Sequence, residues 1–177
     1  MTDRNADIAA FVRTVPDYPR PGVLFRDLTP LIAEGRAFRL TIDRLAEMLG
    51  DVPFDRIAAV EARGFIFAAA LAYRMGVGTV ILRKPGKLPP IVHAIDYALE
   101  YGTDRLEMRA DACAAGDRVV LIDDLIATGG TALAAVSLLR RLGAEVAAAA
   151  FVIDLPALGG SAALTEAGVG VRSLLTA

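Results

Sequence analysis

Apolar residues recur along this chain with two periods. Ile8, Phe11 and Val12 share one side of a short opening helix, which "PDYPRPG" at 16–22 breaks with three prolines and a glycine. Between Arg36 and Gly50, the residues Phe38, Ile42, Leu45 and Leu49 keep helical spacing, and the closing glycine suits a cap. Short continuous apolar runs then alternate with longer ones. "RIAAVEA", "VGTVILR", "DRVVLIDD", "EVAAAAFVID" and "GVGVRSLL" have the length of buried strands; "GFIFAAALAYRMG" and "GTALAAVSLLRRLG" have the length of helices. The alanine run at 147–150 sits awkwardly in the fourth strand, because alanine favours helix. Residues 84–104 break the rhythm. "KPGKLPP" is rigid and turn-rich, and "HAIDYALEYGTDRLEMRA" reads as two extended arms around "YGTD", with a helix over part of it as the competitor.

Strands alternating with helices predict an α/β fold: a mainly parallel, twisted sheet flanked by helices on both faces. With 177 residues and no linker, repeat or low-complexity stretch, a single domain over 1–177 is expected. In such sheets ligands gather at the carboxyl ends of the strands. The formal net charge of -2 supplies no overall basic field for nucleic acid, so any bound phosphate must be held locally. Cys113 is the only cysteine, which excludes an internal disulfide framework and a Cys-rich zinc site and fits a reducing cytoplasm. The N-terminal stretch lacks an apolar h-region and no apolar run reaches the ~18 residues of a membrane span, so a soluble, unprocessed chain is expected.

The chemistry concentrates in "VVLIDDLIATGGT", residues 119–131. Asp123 and Asp124 fall at the carboxyl edge of a buried strand, where the chain is expected to leave the sheet after Ile122, and Thr128, Gly129, Gly130 and Thr131 open the next helix. Glycines let successive N–H groups converge, the helix N-terminus adds positive potential, and threonine hydroxyls complete an anion cradle. Carboxylates repel a phosphate but accept hydrogen bonds from vicinal hydroxyls, so the combination suits a sugar bearing a terminal phosphate. A solvated turn and helix cap is the bland alternative for the two aspartates. Neither the G-x-G-x-x-G pattern of dinucleotide folds nor the G-x-x-x-x-G-K-[ST] pattern of P-loops is present, and "GVG" at 76–78 reads as a helix stop.

That stretch resembles the ribose-phosphate signature of the type I phosphoribosyltransferases, which use 5-phosphoribosyl 1-diphosphate (PRPP). "PRPGVLFRDLTPLI", "EARGFIFAAALA", "RKPGKLP" and "YALEYGTDRLE" are similar to the branch of that family that acts on adenine, as is the ending "FVIDLPALGG" with "VRSLL". The resemblance runs in order from about Pro16 to Leu175. It implies the type I phosphoribosyltransferase fold with a small hood at about 16–35 and a mobile lid at about 84–104. It also implies purine salvage, with transfer of the phosphoribosyl group to N9 of adenine, giving AMP and diphosphate.

Carried over by position, the resemblance gives Asp123 and Asp124 the ribose hydroxyls and gives Ala127, Thr128, Gly129, Gly130 and Thr131 the 5′-phosphate. Arg63, after the first core strand, and Lys87, in the "RKPGKLP" loop, would meet the diphosphate. Leu24 and Arg26, with Leu155 opposite, would form the adenine pocket. Glu100 would handle a ring-nitrogen proton of the base, and Tyr101 would help close the site. Mg²⁺ is the implied cofactor, held by the diphosphate and water without direct protein ligands. Adenine and PRPP are the implied partners in a homodimer, without nucleic acid or membrane. The family's first loop often holds an unusual peptide, which marks Glu61–Ala62 as a candidate cis bond.

Arg63 at a helix start is poorly placed for a plain surface cation, which strengthens its functional assignment. Glu100 and Tyr101 have a solvated hairpin tip as their bland alternative, and Lys84 reads equally well as a solvated charge. His93 has no evident chemical partner, and Cys113 has no basic neighbours in sequence that would make it a nucleophile. The chain departs from the family pattern at Ala62, where serine is common, at "PIVH" after "GKLP", and at Asp154, where glutamate is usual. Two rival functions stand: transfer to a 6-oxopurine, for which no clear cation follows "AFVID", and a non-catalytic PRPP sensor, for which the ~20 residues before "PRPG" are too few to build a nucleic-acid-binding module.

Overall fold

The computed structural model describes residues 4–99 and 102–177. Five runs expected as strands form the parallel heart of a seven-stranded sheet. In chain order its strands are β3 (Arg56–Val60), β4 (Gly78–Arg83), β5 (Val92–Leu99), β6 (Gly102–Arg109), β7 (Arg118–Ile126), β8 (Glu145–Asp154) and β9 (Val171–Thr176). They lie side by side as β5-β6-β4-β3-β7-β8-β9. The pairs β4–β3, β3–β7, β7–β8 and β8–β9 are parallel, whereas β6 runs antiparallel to both β4 and β5. Ahead of the sheet come α1 (Ala6–Ala9), the antiparallel pair β1 (Arg13–Pro16) and β2 (Leu24–Asp27), α2 (Thr29–Ala33) and α3 (Gly35–Met48). The remaining helices are α4 (Gly64–Met75), α5 (Gly130–Arg141) and α6 (Gly160–Glu166), with a 3-10 turn at Pro156–Leu158.

Burial on both faces explains the unbroken apolar strands. Ile57 and Ala59 of β3, with Val120 and Ile122 of β7, pack beneath α3 and α4 against Leu45, Phe67 and Leu71. The intervening Ala58, Val60, Val119 and Leu121 face the other way, onto Leu138 and Leu139 of α5. Each fully buried leucine or phenylalanine contributes about 1.5–3 kcal/mol, so the period-2 alternation fixes which side of every strand carries which helix. Ala148, Ala149 and Ala150 are buried in β8 between β7 and β9. Tertiary packing overrides their helix propensity there. Glu34 starts α3 by accepting a hydrogen bond from the Ala37 N–H at 2.6 Å, and Gly76, at φ 69°, ends α4.

Several expectations are corrected. The opening helix stops at Ala9, so Phe11 and Val12 lie beyond it, although both still pack on the core. "PDYPRPG" is more than a breaker: it joins β1 to β2, with Pro16 opposite Leu24, and Asp17 ties the loop by accepting from the Gly22 N–H at 2.8 Å. Val92–Leu99 and Gly102–Arg109 form the two extended arms rather than the competing helix. The turn was expected at 101–104, but Leu99 pairs with Gly102, so Gly102, Thr103 and Asp104 belong to β6. Cross-strand pairing along β6 extends the arm, and its end closes onto β4 at Leu82↔Met108 and Arg83↔Glu107. Among the described residues three peptides are cis: Tyr18–Pro19, Glu61–Ala62, which was the marked candidate, and Pro90–Ile91.

One contact sets the position of the loop before α5. The Gly160 N–H donates to the Ala127 carbonyl at 2.9 Å, and the Leu155 N–H donates to that of Ile126 at 3.0 Å. Gly160 approaches so closely that a Cβ there would lie 2.4 Å from the Ala127 oxygen and 2.7 Å from the Gly129 nitrogen. Gly129, at φ 84°, faces it with no side chain either. Because the obstructing atoms are backbone, Gly160→Ala is expected to cost about 1–3 kcal/mol and to lower Tm by several degrees. Gly170→Ala, where a Cβ meets nothing within 4 Å, is the control expected to melt like the parent; equal melting of both variants by calorimetry would refute the contact.

Candidate functional site

The carboxyl ends of β3, β4 and β7 surround a cavity of about 280 Å³. Val60, Glu61, Ala62 and Arg63 line it from the turn between β3 and α4, Lys84 from the end of β4, and residues 123–132 from β7, the following loop and the start of α5. The expected exit of the chain after Ile122 is half right. Pairing with β3 ends there, at Ala59↔Ile122, but the longer β8 carries the ladder on to Ile126↔Asp154. Asp123 and Asp124 therefore sit on a strand held from one side only, which opens their other side to the cavity.

The two carboxylates are under opposing influences. Burial, and then the neighbouring Asp124, push Asp123 well above the ordinary carboxylate range. Asp124 is also raised by burial, and Arg63 pulls it partly back. The Arg63 Nε lies 2.6 Å from Asp124 Oδ2, but that buried oxygen has no aligned hydrogen bond, so the contact is ionic. Asp123 Oδ1 accepts from the Asp124 N–H at 2.9 Å. The awkward cation at the start of α4 is thus explained by an acidic partner across the cavity. Gly64 makes the approach feasible, since a Cβ there would stand 2.7 Å from Asp123 Oδ1.

Ala127, Thr128, Gly129, Gly130 and Thr131 come together on one wall, as the sequence indicated, with α5 beginning at Gly130 rather than Thr128. Lys84, evenly balanced in sequence, lines the cavity. Lys87 does not; its Nζ donates to Glu61 Oε1 at 2.7 Å, while the Arg83 Nε donates to Glu61 Oε2 at 2.8 Å. Burial pushes the Glu61 carboxyl up, yet Lys87 and Arg83 together hold it below its ordinary value. Glu100 and Tyr101 lie outside the described residues.

The residues expected around a base are not gathered in this cavity. Leu24 is exposed on β2. Arg26 lines a separate hollow of about 430 Å³ with Val12, Thr14, Ile153 and Leu174, and its Nη1 donates to Thr14 Oγ1. Leu155 packs partly buried against the α3–α4 side of the core. Phe25, which drew no attention in sequence, stands between: its ring centre is 5.3 Å from the Arg63 Cζ. Phe25 and Arg63 also line a hollow of about 370 Å³ with Val15, Tyr18, Asp27 and Thr29. Arg63 is therefore shared by two adjoining hollows, one polar and anion-ready, the other walled by aromatic rings. Among the described residues no cluster of three His, Cys, Asp or Glu side chains is placed to hold a metal ion, and no helix is long and apolar enough to cross a membrane. Cys113 is buried, and burial raises its thiol pKa, the opposite of an activated nucleophile.

Residues 32–160 match the model of the phosphoribosyl transferase domain. An adenine phosphoribosyltransferase of Aeromonas salmonicida is 56% identical over 168 residues, covering 95% of this chain and 93% of that protein. The crystal structure of adenine phosphoribosyltransferase from Thermoanaerobacter pseudethanolicus superposes with a TM-score of 0.94 at 46% identity, over 97% of this chain and 99% of that one. The enzyme of Saccharomyces cerevisiae, solved with an imino-altritol bisphosphate and adenine, gives 0.91 at 36% identity, over 99% and 100%. The fold, the bare loop behind paired aspartates and these likenesses agree: the chain belongs to the phosphoribosyl transferase domain family, in its adenine phosphoribosyltransferase branch.

Proposed function

We propose that this protein is a purine-salvage enzyme that transfers the 5-phosphoribosyl group of PRPP to N9 of adenine, releasing AMP and diphosphate. The observation that carries it is the single cavity in which two carboxylates face a glycine–threonine loop at a helix N-terminus. Asp123 and Asp124 accept hydrogen bonds from the ribose 2′ and 3′ hydroxyls. The N–H groups and hydroxyls of residues 127–131 hold the 5′-phosphate. Arg63, Lys84 and Lys87 meet the diphosphate, with Arg63 keeping Asp124 as well, since a guanidinium has five donors. Leu24, Arg26 and Leu155 bound the adenine, and Phe25 adds an aromatic wall beside Arg63.

Charge develops in two places as N9 attacks C1′ with inversion: positive on the ribose, negative on the leaving diphosphate. Preorganised cations at the second are usually the largest catalytic contribution. Glu100 takes the proton of the base, worth roughly 10²- to 10⁴-fold. Mg²⁺ suits this site as a companion of the substrate, because the aspartates are engaged with Arg63 and each other and, among the described residues, no third ligating side chain joins them. When bound on the diphosphate it neutralises charge on the leaving group. The β1–β2 pair with α2 serves as the hood (16–35), and 84–104 as a lid that excludes water from the reacting centre. The reducing cytoplasm is the proposed setting, in keeping with the single buried Cys113.

We further propose a homodimer. Tyr73 is 92% exposed and Ile66 41%, seven residues apart on one face of α4. Ile81 on β4, 43% exposed, points to the same side of the sheet as α4, since Val80 and Leu82 are buried on the other. A second copy covers this apolar patch.

Three measurements test these statements. Purified protein with PRPP, Mg²⁺ and a panel of bases should convert adenine best, and Glu100→Gln should cut turnover at least 100-fold while sparing PRPP binding; better conversion of an oxopurine, or no turnover of any base, refutes the assignment. Asp123 ionises later in the folded chain than in the unfolded one, so stability is lost as pH rises from the ordinary carboxylate range toward the raised native value. Asp123→Asn is therefore expected to raise Tm at pH 7 by about 2–4 °C for each kcal/mol relieved, with the gain vanishing below about pH 4, while PRPP affinity falls. By sedimentation, the parent should run at twice the mass of one chain and the Tyr73→Glu, Ile81→Glu double variant at one; a monomeric parent removes the dimer.

A further inference from the structure

The hairpin β5–β6 carries a polar cluster that the reaction above leaves unused. Tyr97 and Asp104 are directly opposed across the hairpin. Lys84 Nζ donates to Tyr97 Oη at 2.8 Å and also to Asp104 Oδ2, and it stands 5.4 Å from the centre of the Tyr97 ring. The Tyr97 hydroxyl donates in turn to Asp104 Oδ2 at 3.2 Å, and the Thr131 hydroxyl donates to Tyr97 Oη at 3.3 Å. Tyr97 is 9% exposed, with its ring packed in the α5 side of the core among Leu106 and Met108.

The hydroxyl of Tyr97 has one proton to give and two lone pairs to offer, and all three are used. Its partners belong to three separate elements: Lys84 at the end of β4, Asp104 on β6, and Thr131 in the first turn of α5. Two of the three, Lys84 and Thr131, also line the 280 Å³ cavity. A free lysine spreads over many rotamers; one held by a carboxylate and a buried phenol is fixed before a ligand arrives, and the ordering cost is then not charged against binding.

The geometry points to Tyr97 and Asp104 as positioning residues that fix the Lys84 ammonium at the diphosphate side of the cavity and, through Thr131, tie the hairpin to the 5′-phosphate cradle. This rests on the PRPP-dependent transfer proposed above. It adds that the two anion sites of the substrate are built as one hydrogen-bonded unit. When a phosphate draws the Thr131 proton toward itself, the Tyr97 hydroxyl can turn its one proton from Asp104 to Thr131, while Lys84 continues to donate to both Tyr97 and Asp104. Lys84 stays on Asp104 throughout.

The test measures PRPP binding by calorimetry and steady-state KM for both substrates. Tyr97→Phe keeps the ring and loses the hydroxyl; it is expected to weaken PRPP binding and raise its KM about tenfold, with the adenine KM changed less than twofold and Tm little altered. Asp104→Asn should do the same, Asp104→Glu should restore most of the loss, and Tyr97→Phe combined with Lys84→Met should be no worse than Lys84→Met alone. PRPP KM and affinity within twofold of the parent in both Tyr97→Phe and Asp104→Asn would overturn the assignment while leaving the transfer reaction standing. Equal rises in both substrates' KM with a lowered Tm, or strict additivity with Lys84→Met, would also overturn it, by reducing the cluster to packing. A parent protein that binds no PRPP removes the parent proposal and this one together.

Discussion

Two carboxylates side by side at the end of a buried strand repel each other and lose the water that favours their charge, and much of the surrounding chain serves to hold them there. Arg63 supplies the opposing charge to Asp124. Its position follows from α4, whose first residue must be glycine to let Asp123 approach. The pairing of β3 with β7 ends one position short of the aspartates, while β8 continues beside them. Strand lengths, a helix start and a missing side chain are thus adjusted to one electrostatic problem. Such a site is held ready for hydrogen-bond donors and is costly while empty, which is the usual relation between preorganisation and stability.

The parallel heart of the fold was legible because strands buried on both faces leave continuous apolar runs, and the helices between them keep their own period. The loop of residues 127–131 was legible as one wall of the cavity because bare glycines and threonines after a strand have few other uses. What escaped notice was small or depended on pairing. β1 and β2 are four residues each, and their proline-rich connection masks them. The N-terminal residues of α2 and α6 give little apolar periodicity, since Pro30 sits in the first turn of one and α6 spans only seven residues. The hairpin turn slipped because register is set by cross-strand contacts along its whole length, which "YGTD" alone does not encode.

Among site residues, the divide falls between chemistry and support. Asp123, Asp124, Arg63 and the loop residues, which meet around one cavity, were marked by their type and order. Gly64 and Gly160 carry theirs in an absence, visible only once another backbone is seen to occupy the space. Phe25 and Tyr97 drew no attention in sequence, and what sets them apart is the cations that come to rest against them. Residue type can suggest such a cation; only the fold decides which one arrives.

The pairing of the described cations in and beside the cavity has a consequence for how a multiply charged ligand would enter. Arg63 is balanced by Asp124, Lys84 by Asp104, and Lys87 by Glu61. A bare basic patch attracts mobile ions from solution and discharges them when an anionic ligand binds, which makes affinity fall steeply with salt. Here the counterions are side chains, already fixed and unable to diffuse away. On the function proposed above, an incoming diphosphate exchanges one anion for another within the protein. The site is in effect an internal ion exchanger, and its hold on substrate is buffered against the ionic strength around it.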